Sequence, residues 1–310
     1  MSPRDLPYTF AALDRAADKR KDPAWLAARL ADPATGFTVV WRRRNLVIES
    51  PSRRPLFLER ENASLALELA EEIVFLGLYG HRAVFALDLS PLEPVEAEQA
   101  VGHVGAFRDL REVGPAVAQG DGALLAYARA MVFWHGRHRF CGRCGAPTES
   151  ADGGHSRVCT SDHCGISHFP RTDPAVIMLV HDGGDYCVLG HNKRMPPGMH
   201  STLAGFVEPG ESVEEAVSRE VNEEVGLSVD PEAIRYFGTQ PWPFPCSLMV
   251  GFHVRAEWRA LHVDPMELVS ARWFHHEELR RSPEDGSFAL PRADSIARRL
   301  IEAWLEGAAT

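Results

Sequence analysis

The chain has 310 residues, 45% of them hydrophobic and 25% charged, which is ordinary for folded globular material and excludes the polar bias of disorder. A formal net charge of -10 argues against broad, salt-driven binding to a nucleic-acid backbone but leaves room for a nucleotide held through a metal. At about 100–200 residues per domain, two or three domains are expected.

Residues 1–22 lack the apolar core of a signal peptide, and no apolar run approaches the ~20 residues needed to span a bilayer. The closing residues 306–310 carry no peroxisomal tripeptide. Six cysteines, four of them clustered, suit metal binding in a reducing compartment, so a cytoplasmic protein without membrane contact is expected.

Residues 36–89 are β-rich, with short apolar runs at 37–41, 45–49, 73–79 and 83–88. The Gly-His-Arg turn between the last two predicts a hairpin. Residues 63–72 are helix-like, Pro94 opens a short helix over 94–101, and 121–134 form a stronger helix. Nothing here has catalytic spacing. Arg108 and Arg111 read as solvated cations, and residues 1–136 as a scaffold domain.

Cys141-Gly-Arg-Cys144 and Cys159-Thr-Ser-Asp-His-Cys164 follow, fourteen residues apart, and each pair is followed by glycine. Paired thiolates of this kind suit a tetrahedral Zn²⁺ with no open position, which makes the ion structural. The second pair is looser, and an alternative takes His163 with Cys159 as ligands. His155 and His168 read as packing residues.

Residues 175–180 and 186–189 read as strands around the turn at 182–185, with Cys187 a buried thiol. Residues 201–204 form another strand, with 248–257 and 271–274 as its partners. Helices at 212–225 and 294–305 on the two faces complete an α/β/α arrangement.

In the first of those helices, Ser212 and Glu215 form a capping box, and Gly226 sits where a left-handed residue ends a helix. At about 100° per residue, Val213, Ala216, Val217 and Val221 make an apolar stripe. Glu220 and Glu224 fall on that same side, and Glu223 lies at its edge beside Arg219. Carboxylates aimed inward need neutralisation. Hard oxygen ligands at helical spacing suit Mg²⁺ or Mn²⁺ bound with a substrate phosphate, and Glu211 reaches the same place from the preceding loop. Taken alone, a solvated acidic helix with an Arg219–Glu223 pair explains the same residues. Further on, Gln240-Pro-Trp-Pro-Phe-Pro-Cys-Ser247 reads as a loop that three alternate prolines stiffen, fixing Trp242 and Phe244.

The full spacing decides between these readings. Gly205, five residues, Glu211, seven residues and then 219–227 (REVNEEVGL) resembles the Nudix box at every defined position. With the downstream Pro-Trp-Pro-Phe-Pro segment, the four cysteines and Ala204-Gly205-Phe206 opening the box, residues 108–305 resemble the NADH pyrophosphatase branch of the Nudix hydrolases. The resemblance implies a Nudix α/β/α sandwich with a mixed sheet (171–310), preceded by a zinc ribbon (137–170) and a β-rich α+β domain (1–136). It implies that Glu220, Glu223, Glu224, Glu267 and Ala204 hold Mg²⁺ or Mn²⁺. Arg219 would orient a carboxylate, and one of the three box glutamates would act as base. Cys141, Cys144, Cys159 and Cys164 would hold Zn²⁺. Substrate contacts fall on Phe169, Phe206, Gln240, Pro241, Trp242, Pro243, Phe244, Pro245, Cys246, Ser247 and Ala297.

Two residues depart from the branch. Thr239 replaces a serine and keeps the hydroxyl, whereas Phe169 replaces a tyrosine and loses the phenol. The implied activity is hydrolysis of the NADH or NAD⁺ pyrophosphate to nicotinamide mononucleotide and AMP by a homodimer, extending to removal of NAD caps from RNA 5′ ends. Two rivals stand beside it. One is a Nudix enzyme for ADP-ribose or a dinucleoside polyphosphate. The other is a zinc-ribbon adaptor with an inactive Nudix fold.

Overall fold

The computed structural model describes residues 6–285 and 288–307; the outermost residues read above for targeting signals, 1–5 and 308–310, lie outside the described residues. Contacts divide the chain into two compact units. Of the described residues, one holds 7–171 and 243–246; the other holds Leu6, 172–242, 247–285 and 288–307.

The first unit is built on a seven-stranded sheet of β1 (Gly36–Trp41), β2 (Arg44–Ile48), β3 (Arg54–Pro55), β4 (Leu58–Glu59), β5 (Glu72–Tyr79), β6 (Arg82–Asp88) and β7 (Ala106–Asp109). β5 and β6 form the expected hairpin, and β1 runs parallel to β6. Four helices accompany it: α1 (Pro23–Ala31), α2 (Ser64–Leu69), α3 (Pro94–Ala100) and α4 (Leu110–Val113). A long fifth helix, α5 (Gln119–Arg137), follows them. Alternation along β1 sends Phe37, Val39 and Trp41 into a core shared with Ala66, Ala97 and Ala100 of α2 and α3. Val40 faces the opposite way, toward Leu124, Ala128 and Met131 of α5. The β-rich stretch is therefore a layered sandwich with helices on both faces.

The ribbon strands β8 (Thr148–Ala151), β9 (Ser156–Cys159) and β10 (Ser167–His168) form a small antiparallel sheet in the same unit. A buried polar network ties them to the sandwich. Arg157 of β9 pairs with Glu72 of β5, lies 2.9 Å from His135 Nδ1 of α5, and donates to the Thr148 hydroxyl (2.8 Å) and carbonyl (2.7 Å). His135 Nε2 lies 2.8 Å from the Gly154 carbonyl oxygen. Burial opposes the Glu72 charge, yet His135 and Arg157 hold its carboxyl at a pKa of about 2.

The second unit is a six-stranded mixed sheet of β11 (Asp173–His181), β12 (Tyr186–His191), β13 (Leu203–Phe206), β14 (Ile234–Trp242), β15 (Ser247–Arg255) and β16 (Ser270–His275). Its helices are α6 (Val213–Val225), α7 (His276–Asp285) and α8 (Ile296–Leu305). Alternation along β11 places Val176, Met178 and Val180 under α6, and Ile177 and Leu179 under α8.

Two details differ from the sequence reading. The strand before the box is Leu203–Phe206, and its partner is β11, not 248–257 or 271–274. Those segments pair with β11 and β12 instead, because β11 occupies the centre and takes β15 in parallel along its other edge. The proline segment is also less of a loop than expected. Residues through Trp242 continue β14, and Ser247 already belongs to β15. β14 is an edge strand, where a proline such as Pro241 costs no ladder hydrogen bond.

Candidate active site

Helix α6 begins as its sequence dictates. The Ser212 hydroxyl accepts from the Glu215 amide, the Glu215 carboxylate accepts from the Ser212 amide, and Gly226 ends the helix at φ 71°. Ala216, Val217, Val221 and Val225 are buried, and so are Glu220 and Glu224, while Glu223 is exposed.

Arg219 organises the carboxylates. It donates to Glu211 through Nε (2.8 Å) and a second nitrogen (3.0 Å), to Glu220 (2.8 Å), to Glu223 (2.9 Å) and to the Phe206 carbonyl (2.8 Å). One guanidinium thus fixes three acids and the end of β13. The hydrogen bond to Arg219 holds the Glu211 carboxyl below its usual range.

The remaining acids are under strain of charge. Burial raises the Glu220 carboxyl, opposed by Arg219 and reinforced by the charges of Glu267 and Glu223. Glu224 is pushed up to about 8 by burial and by the charges of Glu220 and Glu267, with the Ala204 backbone amide pulling the other way. Its Oε2 is buried without a hydrogen-bond partner among the described residues. Oxygen donors that repel one another, one of them orphaned, fit a hard divalent cation.

A turn at the end of α6 brings Glu267 near enough for its charge to act on Glu220 and Glu224. The Asp264 amide donates to the Glu224 carbonyl (3.2 Å), and the Asp264 carbonyl and carboxylate accept from the amides of Glu267, Leu268 and Met266. That turn occupies a carbonyl the helix end would otherwise leave open.

Gly205 is required here by space. A Cβ at this position would lie 1.8 Å from the Glu220 carboxyl carbon, so the side chain of Glu220 rests against bare backbone of β13.

In the same unit a cavity of about 210 Å³ is lined mainly by apolar groups, among them Ile177, Met199, Trp242, Met249, Pro291 and Ala297. Its chemistry suits a flat ring. Gln240 also lines it, but its amide is engaged on both ends: Nε2 donates to the Asp294 carbonyl (2.8 Å), and Oε1 accepts from the Ile296 amide (2.8 Å). Gln240 therefore fixes the start of α8, where Ala297 sits. Met199, Met249 and Pro291 were absent from the sequence reading. They come from three separated segments and carry no motif.

The other residues implicated in substrate contact are dispersed. Phe206 is 60% exposed on β13, and Pro241 and Ser247 are half-buried in the β14–β15 ladder. Pro243, Phe244, Pro245 and Cys246 belong to the other unit, as does Phe169, which is 66% exposed. There the Arg129 Nε donates to the Pro243 carbonyl (2.9 Å), and Tyr8 meets the Phe244 ring edge-on. Arg108 pairs with Glu49 (2.9 Å).

The four ribbon thiols converge. Cys141, Cys144, Cys159 and Cys164 place their sulfurs within 4.8 Å of one another, with 3.4 Å between Cys144 and Cys159 and 3.8 Å between Cys141 and Cys164. Sulfurs about 2.3 Å from one zinc, tetrahedrally arranged, would be spaced in this way. His163 is not part of the group. His155 instead hydrogen-bonds Tyr127 and the Phe75 carbonyl, and burial lowers its pKa to about 4.

Sequence profiles of three domain families match the chain in order: an NADH pyrophosphatase-like rudimentary NUDIX domain at 34–134, an NADH pyrophosphatase zinc ribbon domain at 137–169 and a NUDIX domain at 171–298. Among curated proteins, the NAD-capped RNA hydrolase NudC of Stutzerimonas stutzeri is 39% identical over 91% of this chain and 94% of its own length. NudC of Mycobacterium bovis is 42% identical, covering 77% of this chain and 78% of its own length. The human NAD-capped RNA hydrolase NUDT12 is 34% identical over 96% of this chain and 73% of its own length. With the box geometry, the ribbon and full-length relatives in agreement, the chain belongs to the Nudix hydrolases, in their NADH pyrophosphatase-like branch.

Proposed function

We propose that the protein cleaves the pyrophosphate of NADH or NAD⁺ to nicotinamide mononucleotide and AMP, and acts likewise on NAD-capped RNA. The observation that carries this is the buried Glu224 carboxylate, which feels the charges of Glu220 and Glu267 and has an oxygen without a hydrogen-bond partner among the described residues. Glu220, Glu223, Glu224 and Glu267, with the Ala204 backbone, would hold Mg²⁺ or Mn²⁺. Such an ion, when bound, neutralises charge on the pyrophosphate oxygens and lowers the pKa of attacking water.

The chain's own groups supply the rest. Arg219 fixes one oxygen each of Glu220 and Glu223, which leaves the second oxygen of each for other partners. The Trp242 side of the apolar cavity receives one flat ring of the dinucleotide and anchors the molecule against the acids. Gln240 keeps Ala297 and the start of α8 in place behind that ring. Phe169, Phe206 and the Pro243–Ser247 segment are assigned to further substrate contacts. The four cysteines would hold a structural Zn²⁺.

The clustering of four cysteines, which suits a metal in a reducing compartment, is the ground for a cytoplasmic site of action. A homodimer is the expected state, read by light scattering. Turnover of NADH, NAD⁺, NAD-capped RNA and ADP-ribose with Mg²⁺ or Mn²⁺ tests the substrate assignment. The NAD-bearing substrates should lead, with AMP or 5′-phosphorylated RNA as product. A preference for ADP-ribose would contradict it.

A further inference from the structure

The acidic net charge of the chain hides a local exception. Within the first unit a cavity of about 270 Å³ is lined by Arg43, Arg111, Arg129 and Arg137, together with Phe133 and Phe244. The guanidiniums lie on the rings: Arg137 is 4.8 Å from the Phe133 centroid, and Arg111 and Arg129 are 4.6 and 5.0 Å from that of Phe244. An arginine held flat on a ring still presents N–H edges to an anion.

Asp109 is the acidic residue in the lining, and its carboxylate lies 3.8 Å from Arg129. Among the described residues, the side chains of Arg43 and Arg137 pair with no carboxylate and are exposed. Arg129 is buried, and its pKa is lowered by that burial, opposed by the charge of Asp109 and reinforced by the neighbouring charges of Arg43 and Arg111. Burial and like charge both call for an anion.

We propose that this arginine cavity binds a phosphodiester of single-stranded RNA, so that the protein holds the RNA strand of a capped substrate as well as its dinucleotide. The inference rests on the NAD-capped RNA part of the function proposed above and deepens it. Clustered positive charge interleaved with aromatic rings is the chemistry that takes single-stranded nucleic acid, and guanidinium is the side chain that best matches phosphate. Inorganic phosphate or a mononucleotide offers the same group, so the test separates the sources.

Binding of a short, labelled, uncapped RNA is measured by anisotropy across a salt series on the full chain, alongside AMP and inorganic phosphate as competitors. The variants are Arg43→Gln combined with Arg137→Gln, and Arg137→Glu alone. The expected result is RNA binding weakened about tenfold, with the salt slope reduced by about one to two units. NADH turnover should fall far less than RNA binding, because neither Arg43 nor Arg137 is among the groups assigned to the dinucleotide, although they share the cavity with the Pro243–Pro245 segment. RNA affinity and salt slope unchanged in both variants would overturn the proposal. AMP or phosphate binding as tightly as RNA, and lost in the same variants, would also overturn it, because the cavity would then serve a free phosphate. Wild type that binds RNA through these arginines but turns over no NAD-bearing substrate would support the cavity and refute the enzymatic reading instead.

Discussion

The chain carries two sandwiches of similar construction, and one of them buries an acid with an oxygen that has no hydrogen-bond partner among the described residues. Each has a parallel strand pair at its centre, β1 with β6 and β11 with β15, and a helix laid across one face. The face of α5 is closed by Leu124, Ala128, Met131 and Val132. The face of α6 starts the same way with Ala216, Val217 and Val221, but inserts Glu220 and Glu224 among them. The first sandwich buries charge too, yet there Glu72 is met by Arg157 and His135. Glu224 has an oxygen with no hydrogen-bond partner among the described residues. A buried charge with its partners in the fold holds structure together, whereas one without them is poised for a ligand. Architecture is shared between the two regions, and function is not.

The sharpest way to break that contrast is to remove one buried acid from each. Glu224→Gln should cost on the order of 10²-fold or more in kcat, as loss of a metal ligand does. The same change should raise the melting temperature of the protein without divalent metal at pH 8. Glu72→Gln should do the reverse. It strips the partner from Arg157 and should cost about 3 kcal/mol of stability, with kcat for the folded fraction unchanged. Thermal melts and turnover on the same preparations check both.

Gly205→Ala comes next. Its new methyl group would occupy the space of the Glu220 carboxyl, so activity should fall by an amount comparable with loss of Glu220 itself. A near-normal rate would mean that Glu220 has freedom the packing denies.

The two regions should also respond to pH with opposite slopes. The folded pKa of Glu224, about 8, lies above its unfolded value, so the fold retains a proton that the unfolded chain has released. Without metal, that penalty grows as pH rises from about 4.5 to 8. Divalent ions should therefore stabilise the protein increasingly over the same range. Glu72, with a folded pKa of about 2, contributes stability that is present above about 4.5 and lost as pH falls toward 2. Melts across pH, with and without Mg²⁺, read both trends, and Glu224→Gln should remove the first alone.

How much of this was legible in the sequence depended on whether the signal was local. The capping box, the glycine stop and the inward placement of Glu220 and Glu224 all follow from helical spacing, and the structure places them as read. The cluster of ribbon thiols was legible because two short spacings bring four cysteines together. Singling out Glu267 needed the resemblance, since its position depends on a turn hydrogen-bonded to the end of α6. Met199 and Met249 were illegible: they meet only after separate strands and loops have assembled. The Glu72–His135–Arg157 network was hidden for the same reason, and so was the arginine cavity around Phe244. Pro241 misled the reading of its own segment, because nothing local says that β14 lies at an edge.

The smallest effect concerns the ring cavity. Trp242→Ala should lower kcat/KM for NADH by roughly 5- to 150-fold, the range set by about 1–3 kcal/mol of stacking. ADP-ribose, with one ring fewer, should lose less if Trp242 holds the nicotinamide. Equal losses on both substrates would mean that Trp242 only supports the hairpin.

The central claim is that the acids buried in α6 are kept for a catalytic cation and not for the fold. It is tested most directly by titrating Mg²⁺ or Mn²⁺ into wild type and Glu224→Gln while following NADH turnover and the melting temperature together. In wild type, metal should switch on turnover and raise the melting temperature over one concentration range. Glu224→Gln should start from a higher metal-free melting temperature, gain little from metal and remain about 10²-fold slower or worse. A variant that melts lower than wild type without metal, yet turns over NADH normally once metal is added, would contradict the account.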